Sequence, residues 1–291
     1  MCGIVGLFAK DPALEPELGR LLASMLGVMS DRGPDSAGFA IYGAGERGRS
    51  KLTLRGSNLD SVASALGPGV LGTVRDTHLV LSIAASDEAR VRTWLAEQRP
   101  DLVIIGAGER IEIFKEVGLP ATVAERFGLP DMAGTHGIGH TRMATESAVT
   151  TDGAHPFSTG RDQCLVHNGS LSNHRNLRRM LEPRGIGFAT DNDSEVAAGY
   201  LSWRLREGAS LAEALEASLD DLDGFFTFVV GTESGFAVLR DPIACKPAVM
   251  AETDRYVAFG SEYRALVGLP GIERARVFEP EPARVYAWQR A

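Results

Sequence analysis

Hydrophobic and polar positions along the first part of the chain predict short strands around one helix. The apolar run GIVGLFA behind Cys2 is typical of a short buried strand. Residues 14–30 then place leucines and methionines at helical spacing. After the turn-rich loop DRGPDSAG, residues 39–42 and 50–54 predict two further strands.

The pattern changes between about residues 60 and 134. Residues 77–84 and 101–105 predict strands, and residues 121–127 predict a short helix. Another helix carries Val91, Trp94 and Leu95 on one face, and Ser86 is placed to cap its start. This region therefore reads as a small α/β insertion at about 60–134 in a larger fold.

Strands resume beyond the insertion, at 137–142 and 163–167, and helices follow at 172–181, 194–207 and 211–219. Five short strands close the chain, at 225–231, 236–240, 248–252, 256–259 and 284–288. Strands at both ends with helices between them predict a layered α+β sandwich.

Composition narrows the class of protein. The 291 residues suffice for a sizeable core, and the net charge of −8 offers no basic field for nucleic acid or an anionic membrane. No apolar run approaches the length of a membrane span, and no leader pattern precedes the first strand. Three widely spaced cysteines make neither a disulfide framework nor a zinc motif. We expect a cytoplasmic protein.

Cys2 is the first candidate for chemistry. Free cysteines are often small buried hydrophobes, and position alone leaves that interpretation open. If Met1 is removed, however, Cys2 carries a thiol and an α-amine that titrates near pH 8. That amine can take the thiol proton and return it to a leaving group, so the residue needs no separate base.

Three downstream stretches offer an oxyanion site and a substrate clamp, each with a structural alternative. Asn168-Gly169 pairs an amide side chain with an accessible backbone N–H, but Asn-Gly is also a strong hairpin turn. Arg142 follows a predicted strand and could hold a carboxylate with its guanidinium fork, or form a structural salt bridge. Asp193 stands at a helix start, where its structural role would be an N-cap.

Taken together, the motifs carry a family resemblance over most of residues 2–55 and 134–288. In order they are MCGIVG, RGPDSAG, GHTRMAT, AHPF, VHNGSLSNH, TDNDSEV, RDPIACKP and GSEYRAL. This series resembles the class II glutamine amidotransferase domains of glutamate synthase, amidophosphoribosyltransferase, glucosamine-6-phosphate synthase and asparagine synthetase. The resemblance implies a four-layer αββα N-terminal-nucleophile hydrolase sandwich over residues 2–291.

The resemblance also implies roles for particular residues. Cys2 would attack the glutamine amide and form a γ-glutamyl thioester, with Asn168 and Gly169 as oxyanion hole. Arg142, helped by Thr145, would bind the substrate α-carboxylate, and Asp193 its α-ammonium group. Phe157 and the turn from Arg32 to Asp35 would support the pocket. Departures from the family pattern at Met143, Glu146 and Asp191 bear on glutamine affinity.

Other motifs are weaker. His136 and His140 stand four apart on a predicted strand rather than a helix, so no metal is expected there. A lone Gly106-Ala107-Gly108 is more typical of a turn than of a dinucleotide loop, and Cys164 and Cys245 are expected to pack.

The chain shows no motif for a second catalytic domain, so the resemblance places the acceptor chemistry on another polypeptide. The start of the chain and its insertion look most like the glutaminase-like subunit of N-methylglutamate synthase, a hetero-oligomer related to glutamate synthase. Its partner chains would resemble the FMN and β-helix domains of that enzyme and carry the FMN, with an iron–sulfur cluster left open and no cofactor in this chain. Two alternatives stay open: a non-catalytic subunit that binds glutamine or glutamate, and a hydrolase of another γ-glutamylamide.

Overall fold

The structure is a computed structural model that describes residues 2–144 and 148–290. Its strands, in chain order, are β1 (Gly3–Ala9), β2 (Ser36–Tyr42), β3 (Arg49–Arg55), β4 (Leu71–Arg75), β5 (His78–Ala84), β6 (Val103–Gly108), β7 (Ile111–Val117), β8 (His136–Arg142), β9 (Phe157–Gly160), β10 (Gln163–Leu171), β11 (Gly224–Gly231), β12 (Gly235–Arg240), β13 (Val249–Glu252), β14 (Tyr256–Gly260), β15 (Arg276–Phe278) and β16 (Val285–Gln289). Its α-helices are α1 (Leu18–Val28), α2 (Val62–Leu66), α3 (Glu88–Gln98), α4 (Pro120–Arg126), α5 (His174–Leu181), α6 (Asp193–Arg206) and α7 (Leu211–Asp221).

The strands form three antiparallel sheets. The large sheet has seven strands in the order β15-β13-β14-β1-β8-β2-β7, and the second sheet has five in the order β16-β12-β11-β10-β9. A small sheet holds four strands in the order β4-β5-β3-β6. Strand β1 lies inside the large sheet, paired with β14 on one side and β8 on the other.

Three apolar clusters stack the two larger sheets and their helices into four layers. Alternate residues of β1 face opposite ways, as the pleat of a strand requires. Val5 and Leu7 pack with helices α1 and α4, whereas Ile4 and Phe8 pack against the second sheet. The far face of the second sheet is covered by α5, α6 and α7. This is the αββα sandwich predicted from the sequence.

The small sheet has a separate core, in which α2 and α3 cover its apolar residues. The predicted insertion at 60–134 contains most of this unit, although β3 precedes that region and β7 joins the large sheet. Helix α3 begins at Glu88 after Asp87, and Ser86 lies in a preceding turn of 3₁₀ helix, so the predicted Ser86 cap was wrong.

Strand β10 runs without interruption through Asn168 and Gly169 to Leu171. The hairpin-turn alternative for this Asn-Gly pair is therefore wrong. Within the described ranges, no helix is long and apolar enough to cross a membrane.

Candidate functional site

Cys2 lies immediately before β1 and is held by groups from three separate segments. Its Sγ accepts a hydrogen bond from the Met143 backbone N–H, with a donor–acceptor distance of 3.4 Å. Its carbonyl oxygen accepts from Arg32 Nε at 3.0 Å and from Asn168 Nδ2 at 3.2 Å. The neighbouring backbone is fixed as well, because Ile4 N–H donates to Ser261 Oγ at 2.9 Å.

The surroundings of Cys2 favour its thiolate. Burial raises the pKa of the thiol, but the His140 imidazole and the Met143 N–H outweigh burial and bring the pKa down to about 7. An ordinary cysteine titrates near 8.5 and is mostly protonated at neutral pH. At neutral pH Cys2 is therefore ionised to a greater extent than an ordinary cysteine, and the thiolate is the nucleophilic form.

Asn168 and Gly169 reach the cysteine from the second sheet. The Asn168 side chain is buried, and its Nδ2 also lies 3.4 Å from Ser261 Oγ. Gly169 has φ of +153°, and a Cβ there would stand 2.0 Å from the Phe225 carbonyl oxygen. Only glycine fits this position, because any side chain at residue 169 would collide with β11.

The RGPDSAG loop makes hydrogen bonds both to Cys2 and to the segment that follows β8. Arg32 is buried, and its guanidinium pairs with Glu262 at 2.6 Å while Nε holds the Cys2 carbonyl. Asp35 N–H donates to the Arg142 carbonyl at 3.1 Å, and the Asp35 carboxylate accepts from Ala144 N–H at 2.8 Å. The loop thus positions the segment whose Met143 N–H contacts the thiol.

Arg142 ends β8 on the thiol side of the site. Its side chain is largely buried, and Nη1 donates to the Ala148 carbonyl at 3.3 Å. Because Met143 follows directly, the guanidinium belongs to the same short segment that contacts Cys2. Thr145 and Glu146 lie outside the described residues.

Asp193 is the first residue of α6, and the N-cap is Asn192, whose side chain accepts from Ser194 N–H at 2.8 Å. Asp193 therefore does not cap α6, which was the structural alternative to a role in substrate binding. Its carboxylate accepts from Leu171 N–H at 2.9 Å, two residues beyond Gly169. A carboxylate accepts about four hydrogen bonds, so this one retains capacity for a cation. The structure places Asp193 at the end of β10 that carries Asn168 and Gly169.

Histidines and a lysine that the sequence analysis did not select surround the site. His140 Nε2 lies 3.1 Å from Asn168 Oδ1, and the His155 ring stacks on the His140 ring with centroids 4.0 Å apart. His167 Nδ1 contacts Ser194 Oγ at 2.9 Å, and burial lowers the His167 pKa to about 4. The sequence could have pointed to these three histidines, because each lies within one of the motifs GHTR, AHPF and VHNG that carry the family resemblance.

Lys115 is buried beneath the AHPF segment. Its Nζ donates to the Ala154 carbonyl at 2.8 Å and stands 4.5 Å above the centre of the Phe157 ring. Burial lowers the Lys115 pKa to about 8. The ammonium group therefore fixes the loop that carries His155 against His140.

The other candidates from the sequence lie elsewhere. His136 stacks on Tyr42 with ring centroids 4.1 Å apart, and its Nε2 contacts the Thr232 carbonyl at 2.9 Å. Cys164 is buried between the sheets beside the Tyr42 hydroxyl, and Cys245 is exposed. Over the described part of the chain, no group of three or more histidine, cysteine or acidic residues is arranged to hold a metal.

An αββα sandwich in which a cysteine directly precedes an inner strand of the large sheet, with an asparagine from the facing sheet beside it, is typical of the N-terminal-nucleophile hydrolase class. A family profile described as glutamine amidotransferase domain matches residues 140–268. A protein of Rhizobium meliloti (strain 1021) named glutamine amidotransferase-like protein GlxB is 63% identical, covering 99% of this chain and 98% of its own. A relative in Methanothermobacter thermautotrophicus, whose name also assigns it to the glutamine amidotransferases, is 35% identical over 98% of this chain and 99% of its own.

A solved structure agrees with the fold. The glutamine phosphoribosylpyrophosphate amidotransferase of B. subtilis superimposes with a TM-score of 0.64 at 21% identity and covers 99% of this chain. The chain spans 47% of the length of that enzyme. The chain belongs to the class II glutamine amidotransferase family of enzymes.

Proposed function

We propose that this chain hydrolyses L-glutamine to glutamate and ammonia through a γ-glutamyl thioester on Cys2. The observation that carries the proposal is the meeting of a Cys2 thiol of lowered pKa with the Asn168 amide at 3.2 Å from the Cys2 carbonyl. The thiolate forms a bond to the side-chain amide carbon of glutamine. The C–N bond then breaks, and the nitrogen leaves as ammonia after taking a proton from the α-ammonium group of Cys2.

The tetrahedral intermediate needs donors for its oxyanion. Asn168 Nδ2 has two hydrogens, and its 3.4 Å contact to Ser261 Oγ is the longer of its two contacts. In the proposal the oxyanion takes the place of that weaker contact and also accepts from the Gly169 N–H. One such donor is worth about 3 kcal/mol of transition-state stabilisation.

The two ends of the substrate backbone are matched by opposite charges. Arg142, with Thr145, binds the α-carboxylate, and Asp193 binds the α-ammonium group. A planar guanidinium holds a carboxylate with two parallel hydrogen bonds. Water then attacks the thioester carbon while the Cys2 α-amine accepts a proton from that water. The C–S bond breaks, which releases glutamate and restores the Cys2 thiolate beside its α-ammonium group.

The test combines mass spectrometry with a glutaminase assay. We expect the purified protein to have lost Met1, to take one adduct of 6-diazo-5-oxo-L-norleucine on Cys2, and to release ammonia from glutamine. Cys2→Ala should abolish release and adduct, while the exposed Cys245→Ala should change neither. A processed protein whose ammonia release survives Cys2→Ala would contradict the mechanism. A panel of γ-glutamyl-alkylamides separates a glutaminase from a hydrolase of other amides, and saturable glutamine binding without turnover would identify a binding subunit.

We also propose that the chain works in a glutamate-synthase-like complex, N-methylglutamate synthase. What supports this is the resemblance of its start and its small insertion to such subunits. The partner chains would carry FMN, and an iron–sulfur cluster is a further option on them. Co-purification with flavin-containing chains that stimulate glutamine hydrolysis is the expected result. A purified complex that forms no N-methylglutamate from methylamine and glutamate would contradict the assignment.

A further inference from the structure

His140 connects the two sheets directly beneath Cys2. It lies on β8, where its backbone is paired with Ile4 of β1 on one side and Gly38 of β2 on the other. Its side chain is buried and crosses to the second sheet, where Nε2 meets Asn168 Oδ1 at 3.1 Å. The imidazole therefore touches one of the residues assigned to the oxyanion hole.

This contact determines which way the Asn168 amide faces. The Cys2 carbonyl oxygen can only accept, so the amide atom 3.2 Å from it must be the nitrogen. The amide oxygen then points to His140, and Nε2 must carry a hydrogen to donate to it. A rotation of the amide by 180° would break both bonds and put two acceptors against each other at Cys2.

The imidazole is itself held in place. The His155 ring packs on its face, with centroids 4.0 Å apart and planes inclined by 30°. His155 follows Ala154, whose carbonyl is bound by the buried Lys115 Nζ. Nδ1 of His140 is buried and, among the described residues, has no hydrogen-bond partner within normal distance. Among the groups that lower the pKa of the Cys2 thiol, the His140 imidazole has the largest effect.

We propose that His140 is a positioning residue for the reaction: it locks the Asn168 amide with its N–H groups toward Cys2. The inference rests on the proposed glutamine hydrolysis for its kinetic part. In this role His140 acts through Asn168 and does not need to contact the substrate. The same strand provides a matched control in His136, a buried, ring-stacked histidine whose contacts lie away from Cys2.

The experiment compares His140→Gln with His140→Asn, and uses His140→Ala and His136→Gln as references. A glutamine amide can place a donor near the position of Nε2, whereas an asparagine amide is too short. We expect His140→Asn to lower kcat for glutamine by about 10²-fold, the effect of losing one oriented oxyanion donor, with KM changed less than threefold. His140→Gln should stay within tenfold of the wild type, and His136→Gln should match it.

The opposite pattern overturns the proposal. If His140→Gln and His140→Asn lower kcat equally while both melt at the wild-type temperature, Asn168 is not positioned by this donor. If His140→Asn stays within threefold of the wild type, the residue is not needed at all. Should His140→Ala fail to fold, the Gln and Asn pair still decides between these outcomes.

A second readout separates this inference from the proposed function. Iodoacetamide alkylates Cys2 whether or not the protein hydrolyses glutamine. At pH 7 we expect His140→Asn to slow this alkylation roughly fivefold. The pKa of the thiol rises in the variant, so a smaller fraction is present as thiolate. A thiolate of higher pKa is more nucleophilic, and this recovers part of the lost rate. If the wild type shows no glutaminase activity but the alkylation rate falls in His140→Asn, the proposed function fails, whereas an effect of His140 on the site around Cys2 stands. An unchanged alkylation rate contradicts the contribution of His140 to the lowered pKa of the Cys2 thiol.

Discussion

Replacing Gly169 by alanine tests both the fold of the site and its chemistry. The added Cβ would stand 2.0 Å from the Phe225 carbonyl oxygen and 2.6 Å from His167 Nε2. The first of these atoms belongs to the backbone of the neighbouring strand, which cannot rotate away. A normal carbon–oxygen contact would require β10 and β11 to separate by roughly 1 Å, which is a large change for closely packed strands.

The expected cost has two parts. A backbone with φ of +153° is open almost exclusively to glycine, and holding alanine there costs about 1–3 kcal/mol. Forcing the Cβ against β11 adds a similar amount, as overpacking usually does. We therefore expect the free energy of unfolding to fall by about 2–6 kcal/mol. Any movement of Gly169 also displaces the adjacent Asn168, so kcat for glutamine should fall by about 10²-fold or more.

Urea unfolding followed by circular dichroism measures the first quantity, and ammonia release measures the second. Gly208→Ala is the matched control, because Gly208 has φ of +98° but nothing within 4 Å of its added Cβ. That variant should lose about 1–2 kcal/mol of stability and no activity. The reasoning is refuted if Gly169→Ala is no less stable than Gly208→Ala, or if it retains wild-type kcat.

Three further predictions concern charges of the site. The iodoacetamide rate of Cys2 should rise with pH around a midpoint of about 7 rather than near 8.5, and a midpoint at the ordinary value would contradict the lowered pKa. Arg142→Lys should raise KM for glutamine at least tenfold with a smaller change in kcat, because a point charge replaces a fork; steady-state kinetics with an unchanged KM would remove Arg142 from the pocket. Burial lowers the Lys115 pKa to about 8, so the unfolded chain binds more protons than the folded one and stability should rise as pH increases from about 8 to 10.5. In Lys115→Met that part of the rise should be lost, and urea midpoints that climb as in the wild type would count against it.

The sequence was sufficient for elements whose pattern is local. The run behind Cys2 became β1, and the helical spacing from residue 18 onward became α1. Strands with little or no apolar alternation escaped detection: β4 has mostly exposed side chains, and β9 has only four residues. Strand β7 lies within the residue range predicted as the insertion. Its place in the large sheet depends on pairing with β2, which no local pattern encodes.

The residues of the site divide in the same way, into those that a local motif identifies and those that only the folded structure brings together. Cys2, Asn168, Arg142 and Asp193 could be selected because each has a reactive or charged group within a recognisable motif. The local preference of Asn-Gly for a turn was overridden by the pairing of β10 with β11 along its whole length. His140 could not be assigned a role from sequence, because its importance comes from an atom on another sheet, 28 positions away.

The place of β1 has a consequence for synthesis of the protein on the ribosome. Strand β1 leaves the ribosome long before one of its two neighbours, β14, which spans Tyr256–Gly260. Ser261 and Glu262, which secure Ile4 and Arg32, come directly after that neighbour. The nascent chain therefore carries Cys2 without the strand and side chains that fix its position until β14 and the two residues after it have been synthesised. Assembly of the site has to follow the synthesis of these residues, so it is a late event in folding.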